Sequence, residues 1–122
     1  MPPSEVPIDE TDRLIASNKV EGTTVYNRNH DKLASIYNVM LDKATGETKY
    51  AVLTFGGLSG VGSDYYPLPW QILTYDTNQR GYVVDLDKSK LETAPRYRPG
   101  DEPRYDTAYD REVQSYYGLP IG

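Results

Sequence analysis

The residues able to do acid–base, nucleophilic or metal chemistry are few, and their spacing suits none of it. His30, the single histidine of the chain, lies between Asn29 and Asp31 and reads as an exposed turn residue. A metal site needs several ligands, and neither a second His nor any Cys is present. Asp76-Thr77-Asn78-Gln79-Arg80-Gly81 opens like a calcium loop with Asp87 at its twelfth position. Arg80 then occupies a ligand position, and Tyr82 onward reads as strand where a helix should follow, so a hairpin turn is expected. Asp85 and Asp87 share one strand face, with no basic or apolar pocket nearby to split their pKa values. Gly56 to Ser63 is glycine-rich but lacks the Lys-Ser/Thr pair and following helix of a phosphate loop. It reads as a connection. Ser17, Ser35, Ser59 and Ser63 have no elbow motif and no histidine partner. The expectation is a protein that is not an enzyme, with no catalytic residue, no cofactor and no metal.

The elements that hold these residues are short and mostly extended. The 122 residues make one domain, able to bury roughly two-thirds of the unfolded surface. The chain has 12 Tyr, one Trp and one Phe, with 10 Gly and 9 Pro as punctuation. Tyrosine favours strands and contact surfaces, so composition points to an all-β domain with flanking tails. Strands are expected at Leu14–Ala16, Thr23–Asn27, Leu33–Asp42, Thr48–Phe55, Tyr65–Trp70, Leu73–Asp76 and Tyr82–Leu86. Asp42-Lys43-Ala44-Thr45-Gly46 is a hairpin signal, with Gly46 free to take positive φ. Ser17–Gly22 reads as one helical turn, with Ser17 as cap and Gly22 as stop, and Lys88–Glu92 as a short helix. Thr48–Phe55 carries apolar residues on both faces, as a strand covered on both sides would. Pro67 and Pro69 lie two apart, so their missing N–H groups fall on one edge and place this strand at a border.

Residues 1–13 read as an N-terminal arm, 14–95 as the domain, and 96–122 as an exposed linker with a short amphipathic helix. Asp106 stands at an N-cap position, and Tyr109, Val113, Tyr116 and Tyr117 share one helix face. A helix this short needs a surface to dock on, on its own barrel or a neighbour's.

Several segments together resemble the PRC-barrel family. They are Leu14-Ile15-Ala16-Ser17-Asn18-Lys19-Val20-Glu21-Gly22-Thr23-Thr24-Val25-Tyr26, the Asp42-Lys43…Thr45-Gly46 hairpin, Tyr50-Ala51-Val52-Leu53, Gly56-Gly57-Leu58, and Tyr66-Pro67-Leu68-Pro69-Trp70. They run in the family's order over about Leu14 to Pro95. The resemblance implies a small, partly open antiparallel β-barrel, like the cytoplasmic part of the photosynthetic reaction-centre H subunit. It also implies a stand-alone bacterial member without established enzymatic activity and with no catalytic residues to carry over.

The leading reading is a cytoplasmic interaction or scaffold module that self-associates, most simply as a homodimer, and assists assembly of a larger complex with a protein partner not named by the sequence. Its expected contact residues are Leu58, Val61, Tyr65, Tyr66 and Trp70, with Tyr109, Val113, Tyr116 and Tyr117 on the tail. A second reading is a ribosome- or RNA-maturation factor, since the family includes the C-terminal domain of a ribosomal small-subunit maturation factor. The net charge of −5 opposes direct contact with nucleic acid. A third is a small-ligand binder at the barrel mouth. No membrane insertion is expected, because no stretch reaches the roughly 18 apolar residues of a span.

Overall fold

The computed structural model describes residues 14–55 and 64–119. The chain opens with a helical turn, α1 (Ser17–Val20). The Ala16 carbonyl accepts the Lys19 and Val20 N–H groups at 2.9 and 3.1 Å. Ala16 therefore holds the cap position expected for Ser17, and Ser17 is the first helical residue. Gly22 stops the turn at φ +86°, as expected. Of the expected Leu14–Ala16 strand, a bridge at Ile15 is formed.

Six strands follow among the described residues: β1 (Thr24–Tyr26), β2 (Lys32–Leu41), β3 (Thr48–Thr54), β4 (Tyr66–Pro69), β5 (Thr74–Asp76) and β6 (Gly81–Val83). A 3-10 turn, Trp70–Ile72, joins β4 to β5, and two helices complete the chain, α2 (Lys88–Glu92) and α3 (Thr107–Tyr116). The strands form one open sheet in the order β4-β3-β2-β1-β6-β5. Its pairs are antiparallel except β1 with β6, which run parallel. The first four strands are a meander. The β5–β6 hairpin then crosses back and adds to the far side of β1, which makes that pair parallel.

Local chemistry explains the bends. In the β2–β3 hairpin the Asp42 carboxylate accepts the N–H groups of Ala44 and Thr45 at 2.8 and 3.1 Å. Those N–H groups, Thr45's first, hold the Asp42 carboxyl below its usual range. Gly46 takes φ +79°. β2 slips register between Ile36 and Asn38 and again between Met40 and Leu41. Such bulges raise the local twist, which curls a ten-residue strand around the core.

The main core lies inside the curl. Val25, Ala34, Ile36, Ala51, Leu53, Tyr66, Leu68, Tyr82 and Val84 are buried together, closed over by Val20 of α1 and by Leu91 and Ala94 at α2. The opposite side of β3 is buried as well. Tyr50, Val52 and Pro67 are buried outside this cluster, and so is Val113 of α3. Both faces of β3 are therefore covered, as its double-sided apolar pattern requires.

Candidate functional site: the outer face and its strap

β4 is the border strand that its prolines demand. Its residues face β3 in the register Leu53↔Tyr66, Val52↔Pro67, Ala51↔Leu68 and Tyr50↔Pro69. Tyr65, just ahead of β4, bonds on the opposite edge: its N–H donates to the Tyr97 carbonyl at 2.8 Å, and the Tyr97 N–H returns to the Tyr65 carbonyl at 3.0 Å. Residues 65, 67 and 69 alternate, so the nitrogens of Pro67 and Pro69 point to this same outer edge. The edge has one donor, at Tyr65, and Tyr97 takes it.

Tyr97 belongs to the segment expected to be an exposed linker, and this is a correction. Arg98 to Glu102 and Arg104 are exposed, but Tyr97 and Tyr105 are half-buried. Arg96 anchors the entry to the segment. Its guanidinium donates to the Glu92 carbonyl at 2.7 Å, pairs with Asp64 at 3.3 Å and lies 6.0 Å from the Tyr66 ring centre. From Arg96 to Tyr117 the chain forms a strap over the outer side of the sheet.

Opposite residues of antiparallel strands share a face, so the register puts Asn38, Val52 and Pro67 in one row and Met40, Tyr50 and Pro69 in the next. The strap covers these rows. The Asp106 carboxylate caps α3 by accepting the Tyr109 N–H at 2.9 Å, as its sequence position predicts. α3 packs against β4, and Val113 on its inner face is 0% exposed. The Tyr50 hydroxyl donates to the Asp110 carboxylate, which also accepts from Gln114 at 2.9 and 3.0 Å. At the far end the Tyr116 hydroxyl donates to the Lys90 carbonyl and lies 2.6 Å from Thr93 Oγ1, while Lys90 Nζ sits 4.3 Å above the Tyr116 ring. Gly118 at φ +72° ends the helix, with the Leu119 N–H on the Gln114 carbonyl.

A continuous series of tyrosine rings runs along this seam. Tyr37, half-exposed at the β2 bulge, stacks on Tyr65 with ring centres 4.4 Å apart. Tyr65 meets Tyr97 at 5.6 Å, Tyr97 meets Tyr105 at 6.5 Å, and Tyr105 meets Tyr50 at 5.5 Å and Tyr109 at 5.3 Å. The Tyr97 and Tyr105 hydroxyls lie 3.0 Å apart. Burial raises the phenol pKa of Tyr97, Tyr105 and Tyr117 above the ordinary value, and pushes Tyr109 up to about 12. For Tyr65 the main cause of its upward shift is the hydrogen bond with Tyr37. The fit has faults: Tyr109 Oη, Tyr117 Oη and Asn38 Oδ1 are buried without a hydrogen-bond partner. A recess of about 190 Å³ opens at the seam, lined by Lys49, Tyr50, Pro69, Trp70, Asp110 and Gln114 among others.

Of the residues expected to make contacts, Tyr109 and Val113 pack inward from the strap, while Tyr116 and Tyr117 pack against the main core, Tyr116 beside Lys90 of α2. Tyr65 lies in the tyrosine series, and Tyr66 lies in the main core. Trp70 is half-buried, with its ring 5.2 Å from that of Tyr82. Leu58 and Val61 lie outside the described residues. The face also uses Tyr37, Asn38, Met40, Tyr50, Tyr97 and Tyr105, which the sequence did not single out. Of the residues weighed for chemistry, Asp76 and those around His30 are engaged in turns, Asp85 pairs with Arg28 at 3.7 Å, and Gly56 to Ser63 lie outside the described residues. Asp76 accepts from the Asn78 N–H and Gln79 Nε2 at 2.9 and 3.0 Å; these bonds, Gln79's first, lower its pKa. Asn27 Oδ1 accepts the Asn29 and Asp31 N–H groups around His30. Among the described residues no group of three or more His, Cys, Asp or Glu is placed to hold a metal ion. No helix there is long and apolar enough to cross a membrane.

The family model of the PRC-barrel domain matches residues 12–91. The chain belongs to the PRC-barrel domain family. The resemblance drawn from its segments is thereby shown, and the partly open β-barrel it implies is the fold observed, with the parallel β1–β6 pair as the exception to its antiparallel pairing. No curated protein matches the chain. The family match ends inside α2, so the strap lies beyond it. The PRC-barrel domain thus carries on its outer face a segment that lies outside the matched residues.

Proposed function

We propose that this PRC-barrel domain is a non-enzymatic protein-interaction module whose working surface is the outer face of β2, β3 and β4. One observation carries the reading: the face already holds a helical, tyrosine-bearing segment that lies outside the matched domain. It holds that segment as a receptor holds a peptide. An apolar helix side fills the row beneath it (Val113), a charged hydrogen bond fixes its position (Tyr50 to Asp110), and aromatic rings flank it. Self-association and help in assembling a larger complex belong to the same proposal.

The test uses the full chain with Val113→Asp. A carboxylate cannot stay in that dry position, so the strap lifts and leaves the face open. A synthetic peptide of residues 104–119 should then bind the variant, detected by isothermal titration, and bind the parent far more weakly because its face is filled. Adding Tyr50→Ala should abolish peptide binding. Equal binding to all three chains, or binding to none, would overturn the docking face.

A further inference from the structure

We propose that the occupant this face takes in trans is the strap of a second copy of the same chain, giving a two-fold dimer in which each barrel wears the other's strap. The proposal rests on the docking-face reading above and names its partner.

The strap is built as a separable piece. Tyr97 is fixed to Tyr65 by two backbone bonds. Between Tyr97 and Tyr105 the chain makes a turn at Arg98-Pro99-Gly100-Asp101, closed by the Asp101 N–H on the Arg98 carbonyl at 2.9 Å, with Gly100 at φ +90°. A Pro followed by a Gly at positive φ is the pattern of a type II turn. Its side chains are exposed. Opened out, the seven residues 98–104 span up to about 24 Å, enough to carry Tyr105 and α3 onto an adjoining barrel.

Exchange keeps every contact between strap and face. Tyr50 still meets Asp110 and Tyr105, and Tyr116 still meets Lys90 and Thr93, now between chains. The same patch is used twice and the assembly closes at two. The docked arrangement, in cis or exchanged, is imperfectly sealed. Buried hydroxyls without partners cost stability, and three polar atoms of the face and strap stand in that state. The strap is held well enough to be docked and loosely enough to leave. A second copy is the occupant because its strap is the segment whose fit to this face is already displayed, ring by ring.

Complementation tests this directly. One full-length chain carries Val113→Asp, which spoils its strap and spares its face. The other carries Tyr50→Ala, which spoils its face and spares its strap; Met40→Asp replaces it if cooperative urea unfolding of that barrel is lost. Each alone should be monomeric by sedimentation. Mixed at about 100 µM they should form a 1:1 heterodimer, because no cis strap competes. The parent's cis strap competes at an effective concentration of order mM, so the parent should dimerise only as its own concentration approaches that value. Absence of the heterodimer, while the 104–119 peptide still binds the Val113→Asp chain, overturns exchange and leaves the docking face standing. If the peptide also fails to bind, both readings fall.

Discussion

Val113→Ala should loosen the strap without loosening the barrel. Val113 is fully buried on the inner side of α3, and the change removes two methyl groups from a dry contact. At about 0.8 kcal/mol per buried carbon the transfer part is roughly 1.6 kcal/mol. A residual void on the order of 40 Å³ adds roughly 1 kcal/mol. The docked strap should therefore lose about 2–3 kcal/mol, a factor of ~30 to ~150 in its opening equilibrium. A ten-residue helix is marginal on its own, so α3 should unravel when it lifts. Native-state hydrogen exchange reads this residue by residue. The amides of Asp110 to Tyr117 should exchange ~30- to ~150-fold faster, and in the parent they should already be less protected than those of Ala51, Leu53 and Val25, which need the barrel itself to open. If α3 and barrel amides share one opening free energy in the parent, strap and barrel unfold as one unit and the separability argued from the 98–104 turn is wrong.

Three further outcomes are expected. Gly81→Ala should destabilise the whole barrel by about 1–3 kcal/mol in urea unfolding, because the added Cβ would lie 2.6 Å from the Thr24 carbonyl oxygen and 2.8 Å from the Tyr26 ring; an unchanged midpoint would refute the tight β1–β6 approach. Tyr109→Phe and Tyr117→Phe should each slow exchange of the α3 amides by up to about five-fold, or about 1 kcal/mol, since each removes a buried hydroxyl without a partner; faster exchange would mean those hydroxyls are satisfied. Strap docking should fail in alkali. Its tyrosine pKa values are raised on folding, so the linked stability is whole below pH 10, the ordinary phenol value, and is lost as pH climbs towards about 12, where Tyr109 titrates. Phenolate absorbance and α3 exchange followed together should show this, and release of the strap below pH 9 would contradict it.

What the sequence made legible was local. The Asp42–Gly46 hairpin, α2, the Asp106 cap and the Tyr109–Val113–Tyr116–Tyr117 side of α3 each depend on residues within one or two turns of each other. The parity of Pro67 and Pro69 placed β4 at a border, because an absent N–H acts wherever its strand lies. The parallel β1–β6 pair was not legible. Its partners are far apart in sequence, and strands this short carry no mark of direction. The site was half legible. Its helix side was readable from period, but the rows it covers depend on a bulge at Tyr37, which shifts Asn38 and Met40 opposite Val52 and Tyr50. Tyr97 and Tyr105 lie among Arg, Asp and Pro, so composition argued for solvent where a two-bond bridge to Tyr65 holds.

The prolines of β4 bear on the danger of such a detachable piece. A sheet border that is alternately covered and bare would ordinarily seed fibres, because each exposed N–H and C=O invites another strand and every added strand renews the invitation. Here Pro67 and Pro69 offer carbonyl acceptors but no N–H donor along the outer edge, and the donor at Tyr65 is bonded to Tyr97 outside α3. Lifting the helix would uncover side chains able to grip another helix beside an edge that supplies only half of a strand ladder. A face opened by strap exchange, as proposed, would then lie beside a border that resists the addition of strands.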